Sequence, residues 1–246
     1  MFKVFSQSDV GLVRESNEDA CRCGVFSSNA AWAVVCDGMG GVNGGNVASS
    51  IAVQKISETI LDGFRQGMSG EAVRELLASS IASANRAVHE MAGSDVTLTG
   101  MGTTVVAAVV SGAVVHVAHA GDSRAYLLLP GGIRRLTTDH SVVQEMVDKG
   151  DITEQQARIH PQKNVITRAL GVESSLRIDY IETEAPAGCR LLICTDGLTN
   201  YMEEDQISDL AGKYAGNELT EKLVALAKSA GGGDNITVVV LEDQSE

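Results

Sequence analysis

The stretch Val34-Val35-Cys36-Asp37-Gly38 indicates the fold class, and Ile193-Cys194-Thr195-Asp196-Gly197 repeats its pattern. Each is a short apolar run without helical period that ends at an Asp-Gly pair. Such runs are typical of buried β-strands, and an aspartate at the end of a buried strand has a fixed position. Similar junctions follow at Gly121-Asp122 and Gly233-Asp234. The sequence therefore predicts a β-rich core with carboxylates at strand ends.

The remaining periodicity predicts both strands and helices. Apolar or alternating runs predict strands at 31–36, 104–110, 113–118, 125–129, 176–181, 190–194 and 236–241. Apolar residues three and four positions apart predict helices at 46–64, 71–91, 141–149, 205–214 and 219–229. The two long helices are consecutive, so we expect them to pair on one sheet face, with Ser69 capping the second. Because strands and helices cluster in runs, the predicted class is an α+β layered fold, a single domain over residues 1–246.

Composition limits the partners and the compartment. The chain has 246 residues, 44% of them apolar, and its 32 acidic and 19 basic residues give a net charge of −13. A nucleic-acid partner is therefore not expected, because binding to a phosphate backbone needs a concentrated basic face. The five cysteines are an odd number without a Cys-x-x-Cys pair, and the N-terminus lacks the apolar run of a signal peptide. These features predict reduced thiols and a cytoplasmic location.

Only residues 103–120 have the length and apolar content of a membrane span. Ser111-Gly112 interrupts the segment, and His116 and His119 lie inside it. Its high valine content suits two strands joined by a tight turn better than a membrane helix. We therefore predict no membrane partner.

The recurring aspartates indicate a metal site. A single Asp-Gly pair is most simply a turn, but four acidic strand ends need another cause. If they meet, two carboxylates ~4 Å apart repel by ~4 kcal/mol at an effective dielectric of 20, and cations must offset this. Oxygen ligands without Cys or His favour Mg²⁺ or Mn²⁺. Two such ions can share a water and deliver hydroxide to phosphorus, which predicts hydrolysis of phosphate esters.

The order of six short motifs resembles one known family. They are Arg14-Glu15-Ser16-Asn17-Glu18-Asp19, Asp37-Gly38-Met39-Gly40-Gly41, Gly102-Thr103-Thr104, Gly121-Asp122-Ser123-Arg124, Thr195-Asp196-Gly197 and Gly233-Asp234-Asn235. Together they resemble the metal-dependent serine/threonine protein phosphatases of the PPM family, also called type 2C, over nearly the whole chain. The resemblance implies a β-sandwich of two antiparallel sheets flanked by helix pairs. It also implies phosphorylated proteins as substrates.

The resemblance further implies a set of metal ligands. Asp37 matches the carboxylate that bridges two core ions, and Asp196 and Asp234 match further ligands of the first. Glu18, through waters, and the carbonyl of Gly38 match ligands of the second. Asp122 matches the position that, with Asp196, holds a weaker third ion in bacterial members.

Arg14 matches the family's phosphate-binding arginine, and its planar fork suits two phosphoryl oxygens at once. The alternative is an exposed arginine paired with Glu15 or Glu18.

The general acid is an open question, because many eukaryotic members have His where this chain has Met39. A thioether cannot donate a proton, so we expect a metal-bound water to protonate the leaving group. His140 is the histidine nearest to a family motif, and we expect it to be structural because the pattern supplies no partner to orient it as an acid. The polar segment 141–163 matches a mobile flap beside the active site, and a solvated helix and loop is the alternative.

The resulting hypothesis is a monomeric cytoplasmic phosphatase for phosphoserine and phosphothreonine that opposes a serine/threonine kinase. A silent module that only binds phosphorylated partners is the first alternative, and a missing ligand would favour it. A regulatory phosphatase restricted to one anti-sigma-type partner is the second, and strict dependence on one intact protein would favour it.

Overall fold

We describe a computed structural model of the chain that covers residues 1–27, 29–40 and 44–243. Gly41, the last residue of one quoted motif, lies outside the described residues. The strands are β1 Phe2–Asp9, β2 Asp19–Ser27, β3 Ala30–Met39, β4 Gly102–Thr103, β5 Val105–Ser111, β6 Val114–Ala120, β7 Arg124–Leu129, β8 Gly132–Arg135, β9 Asp179–Glu184, β10 Arg190–Cys194 and β11 Ile236–Asp243.

The helices are α1 Gly44–Gly63, α2 Gly70–Ser94, α3 Val142–Asp148, α4 Glu154–Arg158, α5 Asp196–Thr199, α6 Glu204–Lys213 and α7 Gly216–Ser229. A 3-10 turn, Val96–Leu98, follows α2. Ser69 caps α2 as predicted, because its hydroxyl oxygen accepts a hydrogen bond of 3.3 Å from the Ala72 N–H.

Two antiparallel sheets form the centre of the fold. One has the strand order β1-β11-β10-β7-β8, and the other has the order β2-β3-β5-β6-β9, with β4 paired to β3. Valines and alanines of β3 and β5 pack between the sheets against leucines and isoleucines of β7 and β10. The opposite face of β3 packs on α1 and α2, and the outer face of β10 and β11 packs on α5, α6 and α7. This helix–sheet–sheet–helix arrangement confirms the predicted α+β sandwich.

The predicted strands and helices all form, with ends displaced by a few residues. The strands that the periodicity missed include β1, β2 and β8, and each of these lies at or beside the edge of its sheet. Edge strands meet water on one side and carry polar residues that break the apolar pattern. The short helices α4 and α5 were also missed, since four or five residues show no helical period.

Residues 103–120 form β5, a tight turn and β6, paired from Val105↔Ala120 to Ser111↔Val114. The hairpin interpretation is therefore confirmed. None of the helices in the described ranges has the length and apolar character needed to cross a bilayer. All five cysteines are free.

Candidate active site

The predicted ligands come together at one end of the sandwich and are contributed by both sheets. Asp37 lies near the end of β3 and Asp122 follows β6, both in one sheet; Asp196 follows β10 and Asp234 precedes β11 in the other. The Asp37 carboxyl interacts electrostatically with the other three. Strand ends from two packed sheets therefore bring together residues that are up to 197 positions apart (234 − 37).

Backbone contacts fix Asp37 in place. Its N–H donates to Thr104 Oγ1 at 2.9 Å, and its carbonyl accepts from Thr103 Oγ1 at 2.9 Å. The hydroxyls of Thr104 and Ser123 are 2.8 Å apart, which connects β3 to the loop that carries Asp122. The motif Gly102-Thr103-Thr104 thus supplies the hydroxyls that hold the first predicted ligand.

The glycine after Asp37 allows a close backbone approach. The Gly38 N–H donates to the carbonyl of Glu18 at 3.1 Å. A Cβ at Gly38 would lie 2.1 Å from the Gly45 carbonyl oxygen, so a larger residue would displace the start of α1. Gly45 in turn lies beside Glu18, since a Cβ there would be 2.7 Å from Glu18 Oε2. Glu18 is therefore held at the N-terminus of α1, where the helix dipole favours a negative charge.

Asp196 and Asp234 have side-chain partners of their own. Asn200 Nδ2 donates to Asp196 Oδ2 at 2.8 Å. Asn235, next to Asp234, accepts from the Glu18 N–H at 2.7 Å and donates to the Ser16 carbonyl at 3.0 Å. Asn200 and Asn235 therefore position predicted ligands, a role that the sequence did not indicate for them although Asn235 lies in one of the six motifs.

Arg14 reaches the site and contacts a predicted ligand. Its Nε lies 2.9 Å from Asp234 Oδ1, and its Nη2 donates to Asp234 Oδ2 at 3.0 Å. The arginine fork is thus bidentate, with Asp234 in place of the Glu15 or Glu18 partner of the alternative interpretation. The Arg14 side chain is 52% exposed, so this fork stands at the mouth of the site.

Asp19 is a site residue that the sequence interpretation missed, although it closes the first quoted motif. It lies directly opposite Asp37 in the β2–β3 pair. Its Oδ2 accepts from Thr195 Oγ1 at 2.8 Å, while its Oδ1 is buried without a hydrogen-bond partner. Restricted access to water, and then Asp196 and Asp234, raise its pKa to about 7.

The site carries more negative charge than the side chains around it balance. Burial and the nearby carboxylates raise the pKa of Asp37 and Asp122 well above the usual range of an aspartate. The pKa of Asp196 is raised to about 6, mainly by burial and then by Asp234. A hard divalent cation would relieve this repulsion and satisfy the orphaned oxygen of Asp19. The residues present therefore fit Mg²⁺ or Mn²⁺.

Met39 and His140 occupy different surroundings. Met39 ends β3, and its thioether offers no proton. His140 is buried. Among the described residues, its ring nitrogens lie within hydrogen-bond distance of Gly121, Arg168 and Asp179, and not of a predicted ligand. Neither residue stands as a general acid among the carboxylates.

Segment 141–163 forms two short helices and a turn beside the site. Arg158 of α4 pairs with Glu203 before α6 at 2.5 Å. Between this segment and α6 lies a cleft of about 620 Å³, whose lining includes Arg124, Ser141 and Asn200. A cleft of this volume can hold several residues of an extended substrate.

Comparison with known proteins identifies the family. Residues 13–229 match the family described as Protein phosphatase 2C. The chain belongs to this family. Family membership confirms the resemblance, and relatives that are serine/threonine phosphatases confirm the prediction of a protein serine/threonine phosphatase.

Relatives of this protein phosphatase 2C member match it along nearly its whole length. The serine/threonine phosphatase stp of Listeria welshimeri is 38% identical over 239 residues, which are 96% of this chain and 94% of that protein. The crystal structure of the Mycobacterium tuberculosis serine/threonine phosphatase PstP/Ppp has a TM-score of 0.89 at 34% identity and covers 98% of each chain. The catalytic domain of PstP in complex with two manganese ions has a TM-score of 0.86 at 33% identity, covering 98% of this chain and 97% of that one.

Proposed function

We propose that this chain is a metal-dependent phosphatase that hydrolyses phosphoserine and phosphothreonine in proteins. The convergence of Asp37, Asp196 and Asp234 at one sandwich end, with too little positive charge to balance them, carries the proposal. The relatives, which are named serine/threonine phosphatases, support the substrate class. The manganese ions of the related PstP structure support the metal requirement.

We propose that Asp37 holds both core ions, with the remaining ligands divided between them. The ligands of the first are Asp196 and Asp234, and those of the second are Glu18, through waters, and the Gly38 carbonyl. Asp122 and Asp196 would hold a weaker third ion. When bound, Mg²⁺ or Mn²⁺ would supply an activated water as the nucleophile and would neutralise charge on the phosphoryl oxygens.

The chain itself binds and orients the phosphate. Arg14 is exposed at the mouth, and its fork can exchange an oxygen pair of Asp234 for two phosphoryl oxygens once metal ions neutralise Asp234. The cleft beside α6 would take the residues that flank the phosphorylated side chain. Because Met39 cannot donate a proton, the leaving alkoxide would take its proton from water.

Several sequence predictions stay predictions. They are the single domain over residues 1–246, the monomeric state, the cytoplasmic location, the opposing kinase and the flap role of segment 141–163. A phosphopeptide panel addresses substrate breadth, because activity restricted to one intact protein would favour the specialised regulatory phosphatase.

The proposal is tested by comparing Asp37→Asn with a matched control, Glu15→Gln. Both remove one negative charge from the site region, but Glu15 is exposed and has no assigned ligand role. We expect Mn²⁺ at 100 times its Kd to stabilise the wild type by about 2.7 kcal/mol, which raises Tm by about 5 °C or more. Hydrolysis of p-nitrophenyl phosphate and of a phosphothreonine peptide should require that ion.

Asp37→Asn should lose at least about 100-fold in kcat/KM and most of the Mn²⁺-induced rise in Tm. Glu15→Gln should keep both. Wild-type activity that survives a chelator, or full activity of Asp37→Asn, would refute the metal-dependent mechanism. Binding of Mn²⁺ and a phosphopeptide without hydrolysis would favour the silent binding module.

A further inference from the structure

We infer that His140 is a positioning residue that fixes the backbone in front of Asp122 and so sets the affinity of the weak third ion. The inference rests on the proposed function, because it takes Asp122 as a ligand of that ion. His140 does not touch the reacting atoms. It acts through Gly121, the residue immediately before Asp122.

Two hydrogen bonds join His140 to Gly121. The Gly121 N–H donates to His140 Nδ1 at 3.1 Å, and the His140 N–H donates to the Gly121 carbonyl at 2.9 Å. The peptide groups on both sides of Gly121 are thereby held. The imidazole, in a residue that is 6% exposed, holds the peptide group before Gly121, and the His140 backbone holds the peptide group that leads into Asp122.

The far side of the imidazole is held as well. The Gly121 amide N–H can only donate, so Nδ1 is its acceptor and the proton of the neutral ring lies on Nε2, facing Asp179. Arg168 Nη1 also lies 2.9 Å from Nε2, but it is a donor too, so its hydrogen bond goes to Asp179 and not to the ring. Nε2 is 3.2 Å from Asp179 Oδ2, and Arg168 holds the other oxygen of that carboxylate at 2.8 Å. The Thr167 N–H donates to the His140 carbonyl at 2.8 Å. The chain that returns from segment 141–163 therefore clamps His140 in one orientation.

Burial keeps the ring in the required neutral state. It lowers the pKa of His140, and the charge of Arg168 acts in the same direction, against the contribution of Asp179. A protonated ring would present an N–H at Nδ1 and could not accept from Gly121.

A metal ion is a poorer interpretation of this cluster. His119, His140 and Asp179 each offer an atom within 4.8 Å of the others, and His119 Nδ1 is buried without a partner. However, the two imidazoles are stacked with centroids 4.6 Å apart and planes at 5°. Their nitrogen lone pairs therefore lie in two parallel planes and do not point at one shared ion. The Arg168 guanidinium also lies 2.9 Å from His140 Nε2, where an ion would have to bind. The contacts of this cluster therefore orient the His140 ring and do not form a metal site.

Two substitutions of His140 separate positioning from bulk. His140→Phe keeps an aromatic ring against His119 but removes the acceptor for Gly121. His140→Asn places an oxygen where Nδ1 stands and keeps that acceptor, while it gives up the contact with Asp179. Asp179→Asn is the matched control, since its amide oxygen can still accept from Nε2 after the charge is removed.

The readouts are Mn²⁺ binding by calorimetry and amide hydrogen exchange at Gly121 and Asp122. We expect His140→Phe to weaken the weakest Mn²⁺ site about 10-fold or more, the size expected when a group that orients a ligand is lost. The two tight ions should bind as in the wild type. Exchange at Gly121 should accelerate in His140→Phe, and His140→Asn should recover most of both effects.

The outcomes distinguish this inference from the proposed function. A wild type that binds no Mn²⁺ overturns the proposed function and the inference with it. Normal binding of three ions by His140→Phe overturns the inference alone. Equal weakening of all three sites, or a His140→Asn variant as impaired as His140→Phe, shows a merely structural residue. If His140→Phe fails to fold, the test rests on His140→Asn. Gly121 exchange and weak-site Mn²⁺ affinity equal to those of the wild type support the inference, and a weaker affinity opposes it.

Discussion

Asp37 and Asp139 are two carboxylates near the same end of the sandwich. The charges that surround them have opposite signs. Asp139 lies between two guanidinium groups, with Arg124 Nη2 at 2.7 Å from its Oδ2 and Arg135 in contact with its Oδ1. The strongest electrostatic neighbours of Asp37 are the carboxylates of Asp19 and Asp196. One acid is neutralised by the chain, and the other is crowded by further acids.

This contrast separates a structural acid from a functional one. A carboxylate paired with two arginines lowers the free energy of the folded state, and removing it leaves buried positive charge. Carboxylates that repel one another raise that free energy, and they persist in a protein where a ligand repays the cost. Whether the chain's own arginines or lysines pair with an aspartate therefore indicates whether that aspartate is structural or functional.

The largest effect should come from exchanging the charge of each acid for an amide. We expect Asp139→Asn to lower the free energy of unfolding by about 3–5 kcal/mol, because Arg124 loses the carboxylate that offsets its charge. Asp37→Asn should raise the free energy of unfolding of the metal-free protein, because the amide replaces a group whose charged form is disfavoured by burial and by the neighbouring carboxylates. Urea denaturation in a chelator measures both.

Asp209→Asn on the exposed face of α6 is the control, with an expected change within about 0.5 kcal/mol. Destabilisation of the metal-free protein by Asp37→Asn, comparable to that of Asp139→Asn, would erase the distinction between the two acids.

The crowding of carboxylates around Asp37 should also make the stability of the metal-free protein depend on pH. The folded-state pKa values of about 7 for Asp19 and about 6 for Asp196 lie above the unfolded value of about 3.9. Between these values the folded state binds more protons than the unfolded state, so the free energy of unfolding falls as pH rises from about 4 to 7. In chelator we expect a loss on the order of 4 kcal/mol from Asp19 and on the order of 3 kcal/mol from Asp196.

Urea midpoints at several pH values measure this loss, and saturating Mn²⁺ should abolish it because the ions replace the protons. A metal-free protein whose stability is flat or rises over this range would show that the carboxylates are not crowded.

Much of the fold could be predicted because its core strands are uniform. The runs around Val34, Val106 and Ile193 are buried on both faces, so every residue is apolar and no partner has to be known. The strands β1 and β2 could not be predicted this way. They lie at sheet edges, where polar residues are tolerated, and a local sequence pattern does not show which position a strand takes in its sheet. Register and the choice of partner strand depend likewise on contacts distant in sequence.

The candidate site was predicted as a set of residues but not as a set of contacts. The Asp-Gly and Gly-Asp junctions located Asp37, Asp122, Asp196 and Asp234, since an acid beside a core strand is a local feature. The bond from Arg14 to Asp234 joins positions 220 apart, and the bond from Gly121 to His140 depends on how a loop closes. Those pairings arise from tertiary packing, so the sequence could name the groups without assigning their partners.

The smallest effect on stability should come from Arg14→Lys. Asp234, the partner of Arg14, has one arginine partner, whereas Asp139 has two and Asp37 is surrounded by acids. Arg14 is 52% exposed, so the pair with Asp234 should contribute less than about 1 kcal/mol, and the substitution should leave the urea midpoint nearly unchanged. Lysine keeps the charge but lacks the fork, so we expect kcat/KM for a phosphothreonine peptide to fall about 10-fold or more, as loss of a charge-assisted hydrogen bond would cause. Arg177→Lys, at an exposed arginine, should change neither quantity. An Arg14→Lys variant that unfolds as readily as Asp139→Asn, with unchanged kcat/KM while folded, would place Arg14 with the structural cations instead of the phosphate-binding groups.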